Sequence, residues 1–220
     1  MTLYILLETG RLRLRRFVPA DADLLVELDA DPEVMRYITY GQPTPRSAYV
    51  ETYLPRWFAI YEAQPGLGYF AAESRDTGEF LGWFHLRDDR IEPEYVELGY
   101  RLQRSAWGHG YATEGARALL AHGFNGLGLA RISARTLLGN LASQHVMEKC
   151  GLRRVGEFVY AQDVIGGRSE EERAAVKYAI TRPISLVRAR RVSMTLAAAP
   201  VWPHSRSFAS SCSSRMRVRW

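Results

Sequence analysis

Tyr95-Val96-Glu97-Leu98-Gly99-Tyr100-Arg101-Leu102 is followed by Gln103-Arg104-Ser105-Ala106-Trp107 and then by Gly108-His109-Gly110-Tyr111-Ala112-Thr113-Glu114. The first segment reads as a strand, the second as a turn, and the third as a glycine-rich entry into a helix that runs on through Ala116, Leu119, Leu120 and Phe124. Glycines allow a tight turn and a close approach of backbone to ligand. The first amides of a helix have no partner within it and carry partial positive charge, so this order of elements suits a phosphate. Gly108, Gly110 and Ala112 have the small side chains such an approach needs, and Thr113 could add a hydroxyl donor. Alone, the turn also fits a plain strand-to-helix loop. It is not a Walker loop, because no Gly-Lys-Ser/Thr follows, and it lacks the third glycine of a dinucleotide fingerprint.

A second stretch, Asn140-Leu141-Ala142-Ser143 running on to Glu148-Lys149-Cys150-Gly151-Leu152, reads as a capped helix. Asn140 is a suitable N-cap, Ser143 lies on the first turn, and Gly151 fits the C-terminal stop.

Taken in order, these pieces resemble the GNAT superfamily of acyl-CoA-dependent N-acyltransferases, in particular the branch of ribosomal-protein N-terminal acetyltransferases. The resemblance covers most of residues 8–180. It rests on Glu8-Thr9-Gly10-Arg11-Leu12-Arg13-Leu14-Arg15 as the opening strand and on Asp31-Pro32-Glu33-Val34-Met35-Arg36-Tyr37 as the first helix-to-loop segment. It rests also on Trp107 to Glu114 as the coenzyme A loop, and on Asn140 and Ser143 with Glu148-Lys149 and Gly151 as the helix that follows. It implies an α/β (α+β) fold with a mixed, mostly antiparallel central sheet, splayed at its middle and flanked by helices. It also implies acetyl-CoA as co-substrate, no metal, and direct attack of a primary amine in a ternary complex.

The coenzyme's arm would lie along the strand ending at Leu102, paired with backbone groups near Tyr100 and Leu102. Its pyrophosphate would rest on Trp107, Gly108, His109, Gly110, Tyr111, Ala112 and Thr113, and Asn140 would meet it near the thioester. Acetyl transfer needs a base for the amine, donors for the oxyanion and a proton for the thiolate. Glu97 is the expected base, with Glu94 and Glu92 as competitors in the preceding turn. A backbone N–H near Tyr100 or Leu102 is the expected oxyanion donor. Many members of the superfamily place a Tyr seven residues after the Asn, where this chain has Met147. Ser143 matches a serine of the ribosomal-protein branch, so the resemblance implies it as the acid, with Tyr160 and His145 as outside candidates.

The rest of the chain is consistent with one such domain. Its 220 residues, 47% hydrophobic and 24% charged, suit a globular domain with a tail. Further strands are expected at Leu12–Arg15, Tyr69–Glu73, Gly78–Leu86, Ile132–Thr136, Val155–Tyr160 and Arg173–Ile180. A helix is expected from Pro19 to about Asp31, and another over 45–62 that Pro55 should kink or split. Tyr49, Tyr53, Trp57 and Tyr61 share a face of that second helix, as core or as a lining for the acceptor. His85, His109 and His122 are assigned no chemistry.

There are 29 Lys and Arg against 24 Asp and Glu, a net charge of +5. Seven of those arginines follow Pro183, where no acidic residue stands, so residues up to 183 hold 22 against 24. The basic balance belongs to the tail, 183–220, which is expected to be disordered; residues 1–182 are expected to form the domain. Nucleic acid is not an expected partner, save through that tail. Membrane contact is not expected, a cytosolic location is the default, and a homodimer is left open. Cys150 and Cys212 suggest neither a disulfide framework nor a zinc site. Two alternatives stand: a non-catalytic acyl-CoA sensor with a basic tail, and a nucleotide-binding domain that uses Gly108 to Thr113 for another phosphate.

Overall fold

The computed structural model describes residues 3–162 and 169–182. The expectations about the tail from Pro183, and about a boundary there, lie outside the described residues. The described strands are β1 Ile5–Glu8, β2 Leu12–Arg16, β3 Gly68–Ser74, β4 Phe80–Asp88, β5 Val96–Leu102, β6 Arg131–Leu137, β7 Arg153–Val159 and β8 Ala174–Thr181. They form one sheet in the order β1-β2-β3-β4-β5-β6-β8-β7. All neighbours are antiparallel except β5 and β6, which run parallel and share only the pairs Val96 with Ile132 and Glu97 with Ser133. Beyond Glu97, β5 stays paired with β4 as far as Leu102, while β6 stays paired with β8 as far as Leu137. The sheet therefore parts at its middle, as expected.

Helices α1 Ala22–Ala30, α2 Pro32–Met35, α3 Arg46–Ala48 and α4 Leu54–Ala63 come before β3; α5 Tyr111–Ala121 and α6 Leu141–Lys149 follow β5 and β6. Successive side chains of a strand point to opposite faces, so β4 divides the core between two layers. Phe84 is fully buried against α5, where a Cβ on Gly115 would lie 2.3 Å from its ring. That glycine lets α5 sit close on the sheet. On the other face Trp83 meets Trp57 of α4, which stacks on Tyr69 of β3 with ring centroids 4.3 Å apart. β4 is buried along its length to Arg87, as a central strand covered on both faces should be.

Two local expectations change. Residues 8–15 are a hairpin rather than one strand: Glu8 closes β1, Leu12 opens β2, and Thr9 Oγ1 accepts from Leu12 N at 2.8 Å across the turn. Pro55 does not split its helix. It falls in the first turn of α4, and the helix widens just before it into a π-turn, Tyr49–Tyr53. A wider turn is one way to absorb a missing N–H and the bulk of the ring. Tyr49, Trp57 and Tyr61 are buried in the core. Burial pushes the phenols of Tyr49 and Tyr61 above their ordinary value.

Candidate functional site

Glu97 stands at the last β5–β6 pair, where the strands part. Its carboxylate is 13% exposed and is flanked by Arg87 Nη2 at 2.5 Å and Arg135 Nη1 at 3.6 Å. Arg135 is shared with Asp89 at 2.6 Å, and Asp89 in turn accepts from Ser133 Oγ at 2.8 Å. Burial pushes the Glu97 carboxyl above its ordinary range, against the pull of Arg87 and Arg135. Of its competitors, Glu94 is exposed in the preceding turn and Glu92 is paired with Lys177. Burial, and then the nearby Glu97 charge, push the Tyr160 phenol up to about 12.

The loop after β5 leads into α5 through Gly108 and Gly110, at φ +78° and +81°. Side chains with a Cβ are strained there, and nothing lies within 4 Å of where a Cβ on Gly108 would be. The N-cap of α5 is Gly110, so no side chain caps the helix. The early amides, at Tyr111, Ala112 and Thr113, are left to whatever lies beyond the helix end, and this cradle fits a phosphate group. His109 and Trp107 are exposed beside it, and Trp107 Nε1 donates to Leu102 O at 2.9 Å. That bond ties the loop to the end of β5 and engages one of the backbone groups expected to face the coenzyme arm.

Glu114, in the first turn of α5, could itself compete with an anion, but it is tied down. Thr9 Oγ1 donates to it at 2.6 Å, Arg11 N at 3.0 Å and Arg11 Nε at 2.7 Å. Burial would raise its carboxyl, yet the bonds from Thr9 and Arg11 outweigh that and hold it below its ordinary value. Arg11 also donates to His109 O at 2.9 Å and lies over the Tyr111 ring at 4.6 Å. A surface pocket opens here, lined by Thr9, Arg11, Gly110, Thr113, Arg117 and Lys149 among others. Sequence reading took Arg11 only as part of a strand; the contact to α5 bridges about a hundred residues and leaves no local signal.

α6 starts on the far side of the parting. Asn140 Oδ1 accepts from Ser143 N at 3.1 Å, a capping bond that fixes the first turn. Ser143 Oγ in turn accepts from the Tyr100 hydroxyl of β5 at 3.3 Å, a bridge from β5 to α6. Burial pushes the Tyr100 phenol up to about 12, so it keeps its proton at neutral pH. Met147, further along α6, is buried. The site residues expected from sequence thus form three groups: Glu97 at the fork of the sheet, Trp107 to Thr113 at the start of α5, and Asn140, Ser143 and Tyr100 between α6 and β5. Among the described residues no cluster of His, Cys, Asp and Glu could hold a metal ion, and no helix is long and apolar enough to cross a membrane.

Comparison with known proteins identifies the family. A family profile described as an acetyltransferase (GNAT) domain matches residues 11–153. A protein of Aspergillus fumigatus named FsC-acetyl coenzyme A-N(2)-transacetylase is 32% identical over 197 residues, which cover 86% of this chain and 81% of that protein. A crystal structure of a GNAT-family acetyltransferase from Bacillus anthracis aligns with a TM-score of 0.62 at 26% identity, over 82% of this chain and 98% of its own. The ribosomal L7/L12 alpha-N-protein acetyltransferase RimL shares the fold, with a TM-score of 0.67 at 16% identity over 82% of this chain and 96% of its own.

Proposed function

This chain belongs to the GNAT acetyltransferase family and is an acetyl-CoA-dependent N-acetyltransferase, and from that premise we propose how its own residues share the work. Acetyl-CoA supplies the activated acetyl group as a thioester. The pyrophosphate rests on the uncapped start of α5, at Gly108 to Thr113, and the thioester end lies in the parting between β5 and β6. A primary amine, from a protein terminus or a small molecule, attacks directly in a ternary complex. The N–C bond forms first, placing charge on the acetyl oxygen, and the C–S bond breaks as that adduct collapses.

Glu97 takes the proton that the amine must lose, directly or through one water. Backbone N–H groups of β5 near Tyr100 and Leu102 meet the charge that builds on the acetyl oxygen. Ser143 gives its hydroxyl proton to the departing sulfur and regains one from solvent, while Glu97 releases to solvent the proton it took, so that the amine's proton is balanced by the one on the thiol. The serine oxygen already accepts from Tyr100, which leaves the serine proton to point elsewhere. Asn140 holds the turn that carries Ser143 and meets the coenzyme near the thioester.

The observation that carries this reading is the placement of the uncapped glycine start of α5 and of Glu97 at the two ends of one parted strand, β5. It is tested by thermal unfolding of the full chain. At about 100 times its dissociation constant, a ligand stabilises the fold by roughly 2.7 kcal/mol. Acetyl-CoA is expected to raise the midpoint, with no rise for ATP or NAD, and an amine is expected to release free thiol from it. No stabilisation of a folded sample would overturn the coenzyme assignment and every role built on it.

A further inference from the structure

Three strands bring one rung together at Glu97. Arg87 of β4 pairs with Glu97 of β5, and Glu97 pairs with Ser133 of β6. Asp89, just past the end of β4, and Arg135, two residues on from Ser133, close the cluster at 2.6 Å.

Asp89 is its fixed member. The side chain is fully buried, and both oxygens are engaged. Oδ1 accepts from Ile91 N at 2.9 Å and from Glu92 N at 3.1 Å. Oδ2 accepts from Ser133 Oγ at 2.8 Å and faces Arg135 Nη1. Burial would raise this carboxyl, but the bonds from Arg135, Ile91 N and Ser133 outweigh that and hold it below its ordinary value. Asp89 is therefore ionised at neutral pH.

Arg135 is the shared member. Its Nη1 lies 2.6 Å from Asp89 but 3.6 Å from Glu97 Oε1, and its Nη2 lies 3.4 Å from Glu92. A separation of 3.6 Å is too long for a hydrogen bond, so the guanidinium is drawn to the Asp89 side. Glu97 is held by its other oxygen, where Arg87 Nη2 stands 2.5 Å from Oε2. Gripped closely by two arginines, a carboxylate becomes a weak base with both oxygens engaged. The remaining charged or titratable groups around Glu97 are Arg90 in the β4–β5 turn and Tyr160 after β7; Lys177 of β8 faces Glu92.

We propose that Asp89 is a positioning residue of the reaction: it holds Arg135 short of Glu97 and so keeps one oxygen of that carboxylate able to take the amine's proton. This rests on the reading of Glu97 as the base. The proton passes from the amine to Glu97 and on to solvent, and Asp89 keeps its charge throughout.

The test titrates Glu97 in the full chain by carbon-13 NMR, with glutamate labelled at the side-chain carboxyl and the resonance assigned by its loss in Glu97→Gln. Asp89→Asn keeps the shape and removes the charge. Arg135 then closes on Glu97, and the Glu97 midpoint is expected to fall by about one pH unit. Asp89→Asn combined with Arg135→Met removes the nearer cation as well, and the midpoint is expected to rise above that of the wild type. The two changes are thus non-additive, as for residues that act through one another. A merely structural role would lower the thermal midpoint in both variants without moving the titration in opposite directions. Turnover is read beside it as thiol release from acetyl-CoA, with benzylamine and an alanyl tripeptide as acceptors. Its acid limb is expected to move in the same order, and kcat of Asp89→Asn to drop by about tenfold as the base weakens. The two readings fail separately. Glu97→Gln with full turnover removes Glu97 as the base, wherever the NMR midpoints lie. A Glu97 midpoint that stays in place in Asp89→Asn, or that falls in the double variant too, overturns the role of Asp89 alone. Should Asp89→Asn not fold, the direction in the double variant decides, and loss of the fold in both makes the cluster purely structural and overturns the proposal.

Discussion

Two helices begin on either side of the parted strands, and they begin differently. α5 starts at Gly110, with a left-handed φ and no capping side chain; α6 starts at Asn140, whose side chain accepts from Ser143 N. Helix starts carry unpaired amides and partial positive charge, and a cap spends part of that potential on the protein itself. The bare start of α5 leaves its donors open, as the proposed phosphate site requires. The capped start of α6 gives them up and gains a fixed turn that holds one hydroxyl against Tyr100. The same local physics thus leaves one helix start open and fixes the other.

The contrast can be broken most severely at the bare end. Gly110→Glu adds a Cβ where φ is +81° and places a carboxylate where a phosphate would sit. Acetyl-CoA binding is expected to fall by at least about 100-fold, from left-handed strain and like-charge repulsion together, and titration calorimetry would show it. Retained binding would move the phosphate site elsewhere. Glu97→Gln, between the two helices, leaves both ends intact and is expected to lower kcat by about 10²–10⁴ while the KM for acetyl-CoA stays the same. An unchanged kcat would remove Glu97 as the base.

The pH profile sharpens that assignment. A base must be ionised to act, and burial raises this carboxyl above its ordinary value. In the wild type kcat/KM is therefore expected to fall as the pH drops, along an acid limb that lies above the usual glutamate range. The Gln variant should lose that limb, and a limb that persists in it would belong to another group.

At the capped end the expected effects are smaller. Ser143→Ala is expected to slow turnover by about tenfold, since a general acid commonly contributes at least that much. Coenzyme affinity would change little, and a free thiol product with an unaltered rate would count against Ser143. Asn140→Ala removes the cap and is expected to cost about 1 kcal/mol of stability, read as a few degrees in the thermal midpoint. If the bare end works as described, Gly110→Ala strains the backbone without adding charge and affects coenzyme affinity more than midpoint. Asn140→Ala would show the reverse order, and a common pattern in the two variants would erase the contrast.

Much of this was legible because the signals are local. Gly108 and Gly110 after an apolar strand, and Asn140 three residues before Ser143, fix turns and caps from neighbours a few residues away. The strand and helix order followed from periodicity, and its errors arose where local rules meet tertiary packing. Thr9-Gly10-Arg11 turns the chain between β1 and β2 because Leu12 and Leu14 must face the core while Glu8 stays at the edge. Pro55 keeps its helix because a π-turn before it and the buried Tyr49, Leu54 and Trp57 hold the segment in place.

The sequence by itself determined the two helix starts, the strand that leads into the first and the candidate base. These depend on backbone conformation and on residue types set side by side, and no distant partner is needed to specify them. Only the tertiary structure decided what surrounds that base. Arg87, Arg135 and Asp89 come to Glu97 from β4, β6 and the turn after β4; Arg11 reaches Glu114 across about a hundred residues; His85 lies over Gly99 because two strands pair in one register. Charge pairing and burial are properties of distance in space. A chain read residue by residue carries the groups, but not the distances that bring them together.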